Sequence, residues 1–173
     1  GTNFIDGLNG LVITYYSLVI SFLYLLSLEN QLFQNSEFLI SLLIVLLLLL
    51  VFNFMNKIYL GDSGSYLLGF LFGVYLIKLY MNNQYISPYY IILLLWYPCF
   101  ENLFSIIRKY SYNLSPTLPD TRHLHQLIFN FLKLKIKNKN NNFVNNFSSI
   151  IINLYNFMIF LVGYNFVTKT DVL

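Results

Sequence analysis

Five long apolar runs, separated by polar segments, most constrain what this chain of 173 residues can fold into. A helix needs about 20 apolar residues to cross the hydrocarbon of a bilayer. Only 10% of the residues are charged, whereas a soluble domain carries about a quarter. The sequence therefore predicts one all-α domain over residues 1–173, a polytopic membrane bundle of about five transmembrane helices. The candidate spans are 11–28, 38–55, 66–81, 88–107 and 147–167.

Pro98 interrupts the fourth apolar run. A proline inside a helix has no N–H to donate, and its ring crowds the carbonyl four residues earlier. In a membrane that carbonyl needs another partner, because lipid offers none. The fourth span is therefore predicted to be kinked, with one carbonyl bonded outside its own helix.

Five crossings place the polar segments before the first run, between the second and third, and between the fourth and fifth on one side. Most basic residues fall on that side, and only Lys78 and Lys169 do not. Because cytoplasmic loops carry the excess of Lys and Arg, this side is predicted to be cytoplasmic. Its basic residues are Lys57, Arg108, Lys109, Arg122, Lys133, Lys135, Lys137 and Lys139.

The only long polar segment, residues 108–146, is predicted to be a cytoplasmic loop with an amphipathic helix. Apolar residues recur in it at helical spacing. A helix on the membrane surface, with lysines near anionic headgroups, and a helix packed against the bundle both fit this pattern. The Asn-rich run 138–146 is interpreted as a linker. The stripe consists of Leu124, Leu127, Ile128, Phe131 and Leu132.

Composition excludes several functions. The single cysteine, Cys99, excludes a disulfide framework and a thiolate metal cluster. A net charge of +3 is too small to indicate a nucleic-acid partner.

Three polar clusters fall on the predicted cytoplasmic side, and together they indicate phosphoryl transfer at the lipid interface. Carboxylate and amide oxygens suit Mg²⁺, Arg and His donate to phosphate oxygens, and glycines allow a phosphate to approach the backbone. Such catalysis depends mostly on positioning and charge neutralisation. The clusters are Asn3, Asp6, Gly7, Asn9 and Gly10; Asp62 with its flanking glycines and serines; and Asp120, Arg122, His123 and His125.

Each cluster also has a structural explanation. Asp6 and Asp62 could cap the first and third helices. His123 and His125 are two residues apart and cannot share one helical face, so they form no compact metal pair unless the segment is extended. Glu101 is expected to pair with Arg108. A different class of function, a proton-coupled or ion transporter with Asp62 and Glu101 as its relay, remains an alternative.

The three segments resemble elements of the polyprenyl-phosphate N-acetylhexosamine-1-phosphate transferases. This family includes undecaprenyl-phosphate GlcNAc-1-phosphate transferase and phospho-MurNAc-pentapeptide translocase. Residues 3–11, NFIDGLNGL, are similar to its N-x-x-D-G-x-[DN]-G-L element, and residues 60–65, LGDSGS, to its M-G-D-[AST]-G-S loop. Residues 119–127, PDTRHLHQL, resemble its P-D-x-x-H-x-H-H-L loop. The resemblance runs from residue 1 to about residue 131.

The resemblance implies an enzyme of the bacterial inner membrane with a cytoplasmic active site. The enzyme would transfer N-acetylhexosamine 1-phosphate from a UDP-sugar, GlcNAc being the first choice, to polyprenyl phosphate, and would release UMP. Mg²⁺, with Mn²⁺ as a substitute, would be bound by Asp62 with help from Asn3. The resemblance implies catalytic roles for Asp6, Asp62 and His123. The substrate-binding residues would be Gly7, Leu8, Asn9, Tyr59, Arg122, His123 and His125.

The chain departs from the family at two positions and lacks one motif. Gln126 stands where many members have His, and Glu101 where members more often have Asp. The family's adjacent-aspartate motif, which lies in an earlier loop, has no counterpart here. The resemblance therefore implies the C-terminal portion of an enzyme, inactive on its own. The expected partners are the nucleotide sugar, the lipid phosphate and the membrane; a homodimer is left open, and no nucleic acid is expected.

Overall fold

The computed structural model describes residues 1–30, 36–83, 85–113, 115, 122–136 and 139–169. Within these residues every regular element is a helix, so the predicted all-α class is confirmed. Four helices are long and apolar enough to cross a membrane, and α4 with α5 can be counted as a fifth span. A short 3-10 helix, Thr2–Ile5, precedes α1 Leu11–Asn30, α2 Ser36–Phe54, α3 Gly61–Asn82, α4 Pro88–Leu94, α5 Trp96–Ser111, α6 Leu124–Lys135 and α7 Asn141–Tyr164.

The first helix, α1, lies at the centre of the bundle. It packs against both α2 and α7, and 67% of its apolar window is buried, against 17% for α2. Tyr15, Val19 and Leu23 are fully buried. The outer side of α2 exposes Leu47, Leu48 and Val51 and others like them, as expected for a helix that faces lipid.

The fourth predicted span is broken into two helices, α4 and α5, with a bend of 74°. The break falls at Leu95, so Pro98 lies in the first turn of α5, where an N–H is not needed. Pro98 has no N–H to donate to the carbonyl of Leu94, which instead accepts a hydrogen bond from the Tyr15 hydroxyl at 2.9 Å. The predicted kink and the partner outside the helix are both confirmed.

Hydrogen bonds define the two ends of the bundle. At one end the N–H of Ser87, just before α4, donates to the carbonyl of Val167, just after α7, at 2.8 Å. At the other end, Glu101 of α5 contacts His123, and Asn9 contacts Asn146 near the start of α7. We call this second end the site end. Because α4 starts at one end and α5 reaches the other, the bent pair connects both ends as a single span would.

Two predicted boundaries were wrong. The third span was expected from residue 66, but α3 begins at Gly61, where a φ of +66° turns the chain into the helix. The run 138–146 was interpreted as a linker, but α7 begins at Asn141, after the Asn140 side chain caps the helix by accepting from the N–H of Asn142. Tertiary hydrogen bonds from this turn outweigh the low helix propensity of asparagine.

The helix predicted from the apolar stripe of the long polar segment is present as α6. It packs against α7, with His125 buried and Ile128 against the core. Leu127 and Phe131 of the stripe remain 51% and 59% exposed, so the packed face is rotated away from the predicted one.

Candidate active site

The segment before α1 lies at the site end and contacts both α3 and α5. The Ser65 hydroxyl in α3 lies 3.0 Å from Asn3 Oδ1, and Asn3 Nδ2 donates to the Tyr66 hydroxyl at 3.3 Å. The same Ser65 hydroxyl lies 3.0 Å from the carbonyl of Asp62. These contacts join the first predicted cluster to the second.

Neither aspartate caps a helix through its side chain. Asp6 follows the 3-10 helix and lies five residues before α1, while Asp62 is the second residue of α3, with Leu60 at the capping position. Burial, together with the negative charge of Asp62, raises the pKa of Asp6 to about 6. Asp62 itself is exposed and lies in the first turn of α3, where the helix dipole favours an anion.

This donor set fits a hydrated Mg²⁺ better than an all-protein metal site. The described residues contain no group of three or more His, Cys, Asp or Glu side chains able to hold a metal ion. Asp62, Asp6 and the amide oxygen of Asn3 offer oxygen only, and the repulsion between the two carboxylates would be relieved by a cation. Mg²⁺ binds through one or two carboxylates and fills its other positions with water and substrate phosphate.

Glu101 fixes the third cluster. Its carboxylate accepts from His123 Nδ1 at 2.9 Å and from the N–H of Leu124 at 2.9 Å, and His123 is buried with it. The expected pair with Arg108 was wrong, because seven residues along a helix is a rise of about 10 Å. With Nδ1 bound, only Nε2 of His123 is left for a substrate.

The two histidines come together because His123 is extended. It precedes α6 with φ −68° and ψ 149°, and its ring stacks on that of His125 at 5.6 Å. A Cβ at Gly7 would overlap His125 Nε2, so Gly7 allows this close approach. Burial, together with the neighbouring His123, lowers the pKa of His125 to about 4, so His125 is neutral at neutral pH.

Asn9 lies in a network of asparagine side chains rather than in the open. Asn9 is 8% exposed; its N–H donates to Asn145 Oδ1 at 2.7 Å, and its Nδ2 donates to Asn146 Oδ1 at 3.2 Å and to Asn56 Oδ1. The next residue, Gly10, donates its N–H to Asn53 Oδ1 and has a φ of +73°. The polar residues thus bind α2, α7 and the segment before α1 together at the site end.

The remaining predicted residues are placed as follows. Leu8 is buried in the core. Tyr59 is 67% exposed and borders a cavity of about 170 Å³ that Asn53 also lines. The guanidinium of Arg122 lies 5.7 Å from the ring centre of Tyr112. Asp120, predicted for the third cluster, lies outside the described residues.

The role of Gln126 and the participation of four asparagines could not be recognised from the sequence. Gln126, where relatives often have His, accepts at its Oε1 from the N–H of His123 at 3.3 Å and steadies the start of α6. Asn53, Asn56, Asn145 and Asn146 carried no signal, because asparagine is abundant in this chain and none of the four belongs to a recognised segment.

Comparison with known proteins agrees with the resemblance of the sequence motifs. Residues 1–80 match the model of glycosyl transferase family 4. A probable undecaprenyl-phosphate N-acetylglucosaminyl 1-phosphate transferase of Bacillus subtilis (strain 168) is 31% identical over 135 residues, which cover 75% of this chain. The matched part is 37% of that relative's length. Comparison with solved structures gave no match. The predicted resemblance is thus confirmed over part of the chain: residues 1–80 match glycosyl transferase family 4, and 75% of the chain is similar to the B. subtilis transferase.

Proposed function

We propose that this chain provides the nucleotide-sugar site of an enzyme that transfers N-acetylhexosamine 1-phosphate from a UDP-sugar to polyprenyl phosphate and releases UMP. The observation that carries the proposal is the meeting of all three polar clusters at the site end. Ser65 contacts Asn3, and the ring of His125 lies against Gly7. The B. subtilis relative is described as a probable undecaprenyl-phosphate transferase, and GlcNAc is the first sugar to test.

Each group has a role that follows from its surroundings. Asp62, with Asp6 and Asn3, would hold Mg²⁺, which would neutralise the diphosphate of the donor. His123 would present Nε2 to a phosphate oxygen, because Glu101 accepts from its Nδ1. His125, neutral at neutral pH, would act through hydrogen bonds rather than through charge. Arg122 is exposed and would supply the permanent positive charge near the leaving UMP.

The reaction breaks the bond between the two phosphates of the UDP-sugar. An oxygen of the lipid phosphate would attack the phosphorus that carries the sugar, and the electron pair of the broken P–O bond would leave with UMP. The site end is where a phosphate at the membrane surface would meet a soluble nucleotide. We place this end in the cytoplasm of a bacterium, with the bundle in the inner membrane, because the basic residues gather there.

A transporter is the weaker candidate. A relay would need Glu101 free to exchange protons across the bundle, but both of its oxygens accept hydrogen bonds from His123 and Leu124. Asp62 is exposed at the end of the bundle rather than buried in its middle.

The test is UMP release from UDP-GlcNAc by membranes that carry the chain together with the portion of the B. subtilis relative that the match does not cover. Undecaprenyl phosphate and Mg²⁺ are supplied, and membranes with the chain alone test whether it is inactive by itself. Release that requires the lipid and the metal is expected. Asp62→Asn should lower the rate by about 10²-fold or more, because it removes a charge that would hold the metal.

The matched control is Glu37→Gln, which removes an exposed carboxylate from the first turn of α2 and should leave the rate unchanged. UMP release that is insensitive to Asp62→Asn would refute the metal site. Absence of release with every UDP-N-acetylhexosamine, by a protein that is inserted and folded, would refute the proposed function.

A further inference from the structure

Main-chain groups decide which way the asparagine amides of the site end are turned. A carbonyl can only accept a hydrogen bond, and the carbonyl of Phe54 accepts from Asn146 Nδ2 at 3.1 Å. The oxygen of the Asn146 amide must therefore point the other way, toward Asn9. In the same manner the main-chain N–H of Asn9 can only donate, so the amide of Asn145 must turn its Oδ1 toward that N–H.

The amide of Asn9 is fixed in turn. Its Nδ2 donates one proton to Asn146 Oδ1 at 3.2 Å and the other to Asn56 Oδ1. A flipped Asn9 amide would set its oxygen against Asn146 Oδ1, whose direction the Phe54 carbonyl fixes, and would lose that bond. Among the described residues both side-chain bonds of Asn9 use Nδ2, and Asn9 Oδ1 is not one of the fully buried atoms that lack a partner, so this oxygen is the polar atom of the side chain available to a ligand.

A fixed acceptor distinguishes pyrimidine bases. Uracil has a hydrogen on N3 and can donate it to Asn9 Oδ1, whereas N3 of cytosine carries a lone pair and would face that oxygen unfavourably. A freely rotating amide could turn its NH₂ group toward cytosine and would accept both bases. A site whose polar groups suit one partner rejects the analogue that leaves them unpaired.

We propose that Asn145 and Asn146 of α7 are positioning residues that, with Asn56, hold the amide oxygen of Asn9 toward the nucleotide, so that the site accepts uracil and rejects cytosine. The proposal rests on the proposed function, since it needs a nucleotide at this end of the bundle. It gives α7 a part in base selection, although this helix lies outside the three recognised segments.

The test compares the affinities of UDP and CDP for the purified chain in detergent with Mg²⁺, measured by isothermal titration calorimetry. The unchanged chain should bind UDP at least about tenfold more tightly than CDP, the loss expected when one polar group is left unpaired. Asn146→Leu should reduce the preference to within about threefold, mainly by weakening UDP. Asn146→Asp should retain the preference, because a carboxylate oxygen still accepts from Asn9 Nδ2.

The matched control is Asn153→Leu on the same helix, which removes the bond from Asn153 Nδ2 to the carbonyl of Leu11 at 3.1 Å but leaves the Asn9 amide untouched. It should lower stability and keep the base preference. If Asn146→Leu does not fold, Asn145→Leu, which removes the acceptor of the Asn9 N–H, serves instead and should also lower the preference.

The possible outcomes distinguish a failure of this inference from a failure of the proposed transferase function. Three outcomes would overturn the inference and leave the proposed transferase function intact. They are tight UDP binding without a base preference, a base preference that Asn146→Leu or its substitute leaves unchanged, and a base preference that Asn146→Asp reduces as much as Asn146→Leu does. A folded chain that binds neither nucleotide would overturn both.

Discussion

His123 and His125 stack in parallel yet have opposite surroundings. His123 Nδ1 is bound by Glu101, while Nδ1 of His125 is buried without a partner among the described residues. A buried imidazole without a compensating acceptor resists protonation, since the charged form loses its hydration. His123 is thus bonded to a carboxylate, whereas burial without a partner keeps His125 neutral.

This difference predicts an acid-sensitive contribution of His125 to stability. Its pKa is about 4 in the folded chain and about 6.5 when unfolded, so the unfolded state takes up the proton first as pH falls. The free energy of unfolding should therefore decrease from pH 6.5 to pH 4, by at most about 3 kcal/mol. His125→Gln should remove this part of the pH dependence. The measurement is thermal unfolding in detergent with a chelator present.

Asp6 changes the pH dependence of stability in the opposite direction, and the comparison of wild type with His125→Gln must cancel its contribution. Its pKa of about 6, above the ordinary 3.8, means that the folded chain takes up this proton first and gains stability on acidification. Because Asp6 is present in both proteins, only the difference between wild type and His125→Gln isolates the histidine. Equal pH dependence in the two proteins would show that His125 is not held neutral by burial.

At the scale of the element, the break between α4 and α5 depends on one hydrogen bond from another helix. The carbonyl of Leu94 would be unpaired in an apolar bundle without the Tyr15 hydroxyl, because Pro98 has no N–H. Tyr15 is fully buried, so water cannot replace it. Pro98 therefore leaves the carbonyl of Leu94 in need of a donor, and Tyr15 of α1 supplies that donor.

Tyr15→Phe should lower the free energy of unfolding by about 1 kcal/mol, the size of a hydrogen bond between membrane helices. Tyr24→Phe, on the same helix, loses no hydroxyl bond to a described residue and should cost less. The decisive comparison repeats Tyr15→Phe in a Pro98→Ala background, where the restored N–H can serve Leu94 instead. The cost should then shrink, which a double-mutant cycle of denaturant unfolding measures directly. An equal cost in both backgrounds would mean that contacts other than the proline set the break.

The helices show which kinds of information the sequence carries. The number of spans and a kink in the fourth span follow from local chemistry, and the structure agrees with both. The start of α7 could not be predicted in this way, because asparagine is a poor helix former and the run resembles a loop. Its helical state depends on partners distant in sequence, such as Asn9 and Phe54, which pattern analysis does not supply. The pairing of Glu101 with His123 was missed for the same reason.

At the scale of the whole molecule, the number of membrane crossings between the polar clusters predicted that they lie at the same end of the bundle. Parity alone predicted that Asp6, Asp62 and His123 share one end, and the contacts of Ser65 with Asn3 and of Gly7 with His125 agree. Parity could not predict how closely the three clusters approach, since that depends on the extended backbone of His123 and on the size of Gly7. Orientation in the membrane is a further step, argued from charge.

The orientation predicts which introduced cysteines a membrane-impermeant maleimide can reach. Lys139 is exposed just before α7 at the site end, whereas Tyr85 is 76% exposed near Ser87, at the opposite end. In a Cys99→Ser background, Tyr85→Cys should be labelled in intact spheroplasts, and Lys139→Cys only after permeabilisation. The reason is that the excess of lysine and arginine at the site end retains it in the cytoplasm. The reverse pattern would place the site outside the cell, where a UDP-sugar is not supplied, and labelling of both cysteines from one side would mean that α4 and α5 do not cross the membrane together.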